Sequence, residues 1–302
     1  LEVKRLFNDD RRTEIVPDEG EIDLEDLIAE EQMAITITKT GYVKRLPVAT
    51  YRQQRRGGVG VSGMELKEED EVDHLFITST HHFLLFFSSV GKVYRLKVHE
   101  LPLAGRNARG KHLANLLPLR QDEKVCAVIA TRDFDVSEGK YLIFGTRKGI
   151  VKKTLFGSYN TPLKADGIIA IDIREGDELM AVRHTSGDDD IIMVSRLGQG
   201  IRFHESDVRP TGRNTAGVHG MRLRKADEVI SMDIARDDSD LFLITDAGYG
   251  KRTPISEWRV QGRGGQGVIA IKLTDVKGYL VGVRIVRENH EVMLQSRDGV
   301  VI

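Results

Sequence analysis

The stretch Ala34-Ile35-Thr36-Ile37-Thr38-Lys39-Thr40-Gly41-Tyr42-Val43-Lys44-Arg45-Leu46 decides the fold. Residues alternate with period two up to Thr38, a Lys-Thr-Gly turn follows, and the strand pattern resumes at Tyr42. Successive side chains of a strand point to opposite faces, so this pattern predicts a β-hairpin. The unit returns at 83–87 with a turn at Gly91, at 141–144 with Gly149, and at 191–194 with Gly198. It returns again at 241–244 with Gly248 and at 292–294 with Gly299. The turn glycines are spaced 50, 58, 49, 50 and 51 residues apart.

Two further landmarks keep the same step. Gly60, Gly110, Gly167, Gly217 and Gly267 lie 50, 57, 50 and 50 residues apart. An acidic turn precedes an apolar strand at Asp70-Glu71, Asp122-Glu123, Asp177-Glu178 and Asp227-Glu228. A unit of about 50 residues built from about four short strands predicts one blade of a radial all-β array. No amphipathic helix of 10–15 residues interrupts the repeats, which argues against a βαβ sheet. The third repeat is about eight residues longer, and a loop around 133–139 takes up the excess. The sixth repeat stops at Ile302 after its first hairpin, so the last of six blades is incomplete in this chain. A sheet edge left raw there implies either further chain or an open ring.

The expected division is an acidic linker at 1–32, with the end of a preceding helix at its start, and a β domain at 33–302. Repeats are expected to start near 33, 83, 141, 191, 241 and 291. The 302 residues are 40% hydrophobic and 30% charged, enough apolar matter for a sizeable core. No apolar run is long enough to span a membrane and the start carries no signal-peptide pattern, which predicts a cytoplasmic protein. The single cysteine, Cys126, excludes an internal disulfide and any multi-cysteine zinc site. The net charge of -1 hides an asymmetry. Residues 1–33 hold four bases against twelve acids, leaving 41 bases against 34 acids in the remainder.

The bases are phased as well. After each turn glycine the second strand carries Lys44 and Arg45, Lys92 and Arg95, Lys152 and Lys153, Arg202, then Lys251 and Arg252. The glycine-rich landmark adds Gln54, Arg55, Arg56, Gly57, Gly58 and Gly60 in the first repeat, then Arg106, Arg109, Lys111, Arg213 and Arg263. In a radial array, a base repeated every 50 residues becomes a belt. A belt of lysine and arginine suits a bent DNA duplex read through its backbone. Smooth bending of 20–30 bp costs on the order of 1–6 kcal/mol, so several phosphate contacts per turn are required. A single base beside a hairpin is an ordinary solvated residue; the phased set is what carries the reading.

Other signals dissolve on inspection. Gly58-Val59-Gly60-Val61-Ser62-Gly63 and Gly262-Arg263-Gly264-Gly265-Gln266-Gly267 match G-x-G-x-x-G, but no buried strand precedes them and no helix follows. The nine histidines lack metal-ligand spacing, and His81-His82 reads as a half-buried strand start. The acidic pairs recur as turns rather than as a catalytic dyad. Tyr51 and Trp258 hold equivalent positions and read as core.

These residues are similar to the C-terminal domain of DNA gyrase A subunits. Gln54-Arg55-Arg56-Gly57-Gly58-Val59-Gly60 resembles the signature box Q-[KR]-R-G-G-[KR]-G, departing at Val59. Asp10-Arg11-Arg12-Thr13-Glu14-Ile15, Gly41-Tyr42-Val43-Lys44-Arg45 and Gly248-Tyr249-Gly250-Lys251-Arg252-Thr253 extend the likeness over the chain. The resemblance implies a six-bladed β-pinwheel whose neighbouring blades exchange strands. It implies that double-stranded DNA wraps the basic rim, giving negative supercoiling its handedness. The implied partners are the B subunit, together with the rest of the A subunit, in an A2B2 complex. ATP and magnesium would belong to other parts of that topoisomerase, as would the DNA-cleaving tyrosine, leaving this chain without a cofactor or catalytic residue. The A subunit of topoisomerase IV shares the blade architecture and is the near alternative. A propeller-type protein-interaction module and an enzyme with a site in a central channel are the others.

Overall fold

The computed structural model describes residues 2–7, 24–50, 70, 72–105, 107–134, 140–162, 166–290 and 292. The opening stretch folds as its alternation demands. β1 (Gln32–Thr38) and β2 (Tyr42–Pro47) form a hairpin, and β3 (Val72–Ser79) pairs with the free edge of β1. The second repeat contributes β4 (Phe83–Ser88), β5 (Lys92–Lys97), β6 (Lys111–His112) and β7 (Val125–Thr131). The third contributes β8 (Tyr141–Thr146), β9 (Ile150–Leu155), β10 (Ile168–Ile169) and β11 (Leu179–Thr185). The fourth has β12 (Asp190–Ser195), β13 (Gln199–His204), β14 (Val218–His219) and β15 (Val229–Ala235). The fifth has β16 (Asp240–Thr245), β17 (Gly250–Pro254), β18 (Val268–Ile269) and β19 (Leu280–Val286).

These strands make five antiparallel sheets among the described residues. Four are four-stranded, in the orders β3-β1-β2-β6, β7-β4-β5-β10, β11-β8-β9-β14 and β15-β12-β13-β18. The fifth, β19-β16-β17, has three strands. The outermost strand of each complete blade comes from the following repeat: β6 pairs with β2, β10 with β5, β14 with β9 and β18 with β13. Three strands of a repeat thus build its own blade, and its two-residue strand completes the blade before. The segment where the sixth repeat begins, residues 291 and 293–302, lies outside the described residues.

Packing follows the alternation. One face of each sheet meets the next blade: Ile35, Ile37 and Val43 pack on Leu84, Phe86 and Tyr94. Leu85 and Phe87 pack on Leu142, Phe144 and Tyr159, and Ile143 and Val151 pack on Ile191, Met193 and Phe203. Ile192 and Val194 meet Leu241, Leu243 and Trp258, so Trp258 is core. Phe134, from the longer third repeat, also enters the core, stacked on Phe156; residues 135–139 lie outside the described set. Residues of β3, β7, β11, β15 and β19 line one central cavity of about 430 Å³. That makes these the inner strands and the exchanged strands the outer edges.

Among the described residues, the chain before the blades is tied to residues 79–81 and to Lys97. A helix α1 spans Glu2–Phe7, and a 3-10 turn spans Leu24–Leu27. Glu25 pairs with Lys97 at 2.7 Å, while the Ile28 carbonyl lies 2.7 Å from His81 Nε2. The His81-His82 pair is half-buried, with His82 Nδ1 2.9 Å from the Thr78 hydroxyl.

Candidate nucleic-acid interface

The phased glycines exist because the exchanged segment crosses the neighbouring blade at backbone contact. At Gly267 φ is +75°, and a Cβ would lie 2.1 Å from the Gly200 carbonyl oxygen. At Gly217 φ is +80°, and a Cβ would lie 2.4 Å from the Val151 carbonyl oxygen. Only glycine tolerates both the dihedral and the approach. The crossing leaves the flanking side chains on the outer edge of the blade.

On that edge Lys111 and Arg263 are exposed, and Arg109 and Arg213 are half-buried. Arg109 lies over the Tyr42 ring, 5.5 Å from its centroid. Arg263 donates from Nε to the Asp207 carbonyl at 2.7 Å and from Nη1 to the His219 carbonyl at 3.2 Å. Its guanidinium is therefore fixed across the boundary between the third and fourth blades. Arg209 and Arg259 are exposed beside these groups and were not among the residues expected from sequence. The signal was present: each stands eight residues before a landmark glycine, 50 residues apart, and Arg52 keeps the same phase.

The bases of the hairpin strands are placed differently from the expected surface belt. Lys44, Lys152, Lys153 and Arg202 are all buried. Lys44 Nζ donates to the carbonyls of Gly105 and Ala108 at 3.2 and 3.0 Å. Lys152 Nζ donates to the Ala170 carbonyl at 2.6 Å and to the Arg213 carbonyl. Lys153 Nζ donates to the Glu205 carbonyl at 2.7 Å and lies 3.4 Å from its carboxylate. Arg202 pairs with Asp190 at 2.7 Å and Asp237 at 2.8 Å, and donates to the Ile255 and Trp258 carbonyls at 2.9 and 3.3 Å. The half-buried Arg45 donates from Nε to the Leu101 carbonyl at 2.7 Å.

Each of these five side chains reaches the next repeat. They are cross-links between consecutive blades, because their strands are covered on the outside by the exchanged segment. Burial sets the protonation balance: it lowers the pKa of Lys44, Arg45 and Arg95. Lys152 is pushed down to about 7, first by burial and then by the charge of Arg213, with Asp172 opposing. A buried cation held by carbonyls would have to break those bonds to meet a phosphate.

The remaining bases differ in kind. Arg95 lies over the rings of Phe83 and Phe134, at 4.9 and 5.3 Å, with a buried Nε that has no hydrogen-bond partner. Lys92 Nζ donates to the Asp166 carbonyl at 3.0 Å. Lys251 and Arg252 are exposed; Lys251 donates to the Ala270 carbonyl at 2.9 Å and Arg252 pairs with Asp240. Gln54, Arg55, Arg56, Gly57, Gly58, Gly60 and Arg106 lie outside the described residues.

The acidic landmark is a turn cap. Asp177 accepts from the Thr146 hydroxyl at 2.6 Å and from the amides of Lys148 and Glu178 at 2.9 and 2.8 Å. Asp227 repeats this on Ser195, Leu197 and Glu228, and Asp70 caps Thr40. In the central cavity the Cys126 thiol is pushed up to about 12 by burial, which keeps it protonated and unreactive. Among the described residues no three His, Cys, Asp or Glu side chains gather to hold a metal. No helix there is long and apolar enough to cross a membrane. The G-x-G-x-x-G ending at Gly267 leads into β18 rather than a helix.

Comparison with known proteins agrees with this geometry. A family model described as the DNA gyrase C-terminal domain, beta-propeller, matches residues 32–79, 82–132, 140–186, 189–236 and 239–287. The DNA gyrase A subunit of Clostridium acetobutylicum is 49% identical over 301 residues, covering all of this chain and 36% of that protein. Its counterpart in Halalkalibacterium halodurans is 53% identical over 302 residues, again all of this chain and 36% of that protein. The chain thus spans about a third of the length of these relatives. Among solved structures, the C-terminal domain of DNA topoisomerase IV superposes with a TM-score of 0.77 at 27% identity, covering 91% of this chain and 84% of that one. A DNA gyrase A C-terminal domain gives 0.69 at 26% identity, covering 90% and 88%.

Proposed function

The chain belongs to the DNA gyrase C-terminal domain family, and on that premise we propose that it binds double-stranded DNA along its outer blade edges and bends it there. The observation that carries this is the phased pairing of Arg209 with Arg213 and of Arg259 with Arg263 on successive outer edges. Guanidinium groups on a repeating edge suit phosphates at intervals and carry no base readout. In the whole protein the chain would be the wrapping part of a gyrase A subunit, joined with B subunits as A2B2 in the bacterial cytoplasm. The wrap would present a DNA segment with a positive crossing, so that strand passage introduces negative supercoils. ATP hydrolysis and strand cleavage would lie in the other parts of that isomerase, and this chain would need no cofactor.

A sixth blade belongs to this reading. Leu75 and Ile77 on β3 are 67% and 62% exposed, an apolar face on the first blade with no neighbour among the described residues. At the other end, and again among the described residues, β17 has no outer partner strand and Arg252 has no cross-blade carbonyl of the kind Arg202 holds. A sixth repeat starting near 291 would cover all three.

The test is DNA affinity across a salt series. Removing Arg209, Arg213, Arg259 and Arg263 together should flatten the log-log salt slope by about 3.6, at about 0.9 per phosphate contact. An unchanged slope refutes the reading. In the intact A subunit with its B partner, Arg55→Ala with Arg56→Ala should abolish supercoiling and spare ATP-independent relaxation. The second reading, a topoisomerase IV role in DNA selection, draws on the higher TM-score to that domain and on Val59. Relaxation and decatenation without supercoiling by the assembled protein would favour it.

A further inference from the structure

The exchanged segments hold two kinds of glycine. At the landmark glycines Gly110, Gly217 and Gly267 φ is positive, and a Cβ would lie within 2.4 Å of a carbonyl oxygen of the acceptor blade. Five residues before each stand Gly105, Gly212 and Gly262. All three are exposed and none has a positive φ. Among the described residues, a Cβ on any of them would meet nothing within 4 Å. The blade itself does not require glycine there, since the first repeat has Arg55 at that place and the third has Pro162. Glycine also loses more conformational freedom on folding than any other residue. Each of the three is followed by arginine, as Arg106, Arg213 and Arg263, and the chain holds no other Gly-Arg pair.

The main chain is open at the same points. The residue before each glycine is tied to the acceptor blade: Ala104, Thr211 and Gln261 donate to the carbonyls of Arg45, Lys153 and Arg202 at 3.2, 2.8 and 2.8 Å. On the third and fourth blade edges the next two amides, of Gly212 and Arg213 and of Gly262 and Arg263, have no acceptor among the described residues. We propose that each Gly-Arg pair is a saddle for the sugar-phosphate backbone of DNA. The missing side chain lets one phosphodiester settle on bare main chain, the free amides donate to its oxygens, and the arginine supplies charge beside it. This rests on the DNA-binding reading above, and it adds close main-chain contact to what side-chain charge provides.

Duplex titration and urea unfolding of the full chain carrying Gly212→Val with Gly262→Val test this, with the alanine pair as the milder variant. Both sites are open and have negative φ, so the urea midpoint should hold or rise. DNA affinity should fall at least about tenfold for the valine pair, the equivalent of one lost hydrogen bond to a charged oxygen, and less for the alanine pair. The log-log salt slope should stay as it is, because no base is removed. Should the valine pair fold poorly, the alanine pair carries the test. Folded variants that bind as tightly as the wild type would overturn the inference. Wild-type binding without salt dependence would instead remove the premise, so the two failures are distinct.

Discussion

Replacing Lys152 with methionine should change how stability depends on pH. The side chain is 1% exposed, and its ammonium is held by the carbonyls of Ala170 and Arg213. Burial and the charge of Arg213 hold its pKa near 7 against an ordinary 10.5. Between those values the unfolded chain carries a proton that the folded chain releases, so stability rises with pH. Below pH 7 both states are protonated and the full penalty is present; above 10.5 it is gone. The gap corresponds to about 5 kcal/mol, a slope of up to about 1.4 kcal/mol per pH unit. Methionine keeps the length and removes the titration, at the cost of carbonyls left without their donor, about 1–3 kcal/mol each. Tyr159 still donates to the Ala170 carbonyl at 3.2 Å and softens one of these. Urea midpoints of both proteins at pH 6.5, 8 and 9.5 give the difference free of other titrating groups. The wild type should gain on the variant steadily as pH rises. A difference that stays constant with pH would refute the assignment of a depressed pKa to this lysine.

Arg202→Met should destabilise by about 3–5 kcal/mol in urea unfolding, because it leaves the Asp190 carboxylate and two carbonyls of the fifth repeat without a donor. Glu205→Ala should cost a similar amount, about 3–5 kcal/mol, by removing the carboxylate from the buried Lys153 ammonium, which keeps only the Glu205 carbonyl, and by stranding the Thr185 hydroxyl and the amides of Gly187 and Asp189; Glu205→Gln should recover part of it. Gly267→Ala should cost about 1–3 kcal/mol for its dihedral alone, and more for the contact with the Gly200 carbonyl, read by hydrogen exchange at β18. Arg209→Ala with Arg259→Ala should leave stability within about 0.5 kcal/mol while flattening the DNA salt slope by about 1.8.

The hairpins and their 50-residue phase were legible because period-two alternation and a turn glycine are local signals. The acidic landmark was legible as a turn, though its partners Thr146 and Ser195 emerge only with the fold. The exchanged strands were not visible in the residues, since Val218-His219 or Val268-Ile269 is too short to show any period. The buried bases were misplaced for a related reason. A lysine reads as solvent-facing unless its acceptors are known, and those of Lys152 and Arg202 lie in the following repeat. One clue stood in the alignment of repeats: the phase of Lys44, Lys152 and Lys251 is occupied by Tyr94 and Ile201 in the other two. An aromatic and an isoleucine at that phase mark it as interior. No such contrast exists for Arg45, Arg95, Lys153, Arg202 and Arg252, where every repeat is basic.

Strand donation also bears on how such a chain is made. The donor always lies downstream of its acceptor, so a blade emerging from a ribosome stays open along β2, β5, β9 or β13 until the next unit has been synthesised. Assembly is then vectorial with a lag of one unit, and each newborn segment acts as the clasp of its predecessor. The same offset makes tandem duplication benign. A copied unit of about 50 residues brings both one acceptor edge and one clasp, so the array can change its number of units without stranding an edge inside it.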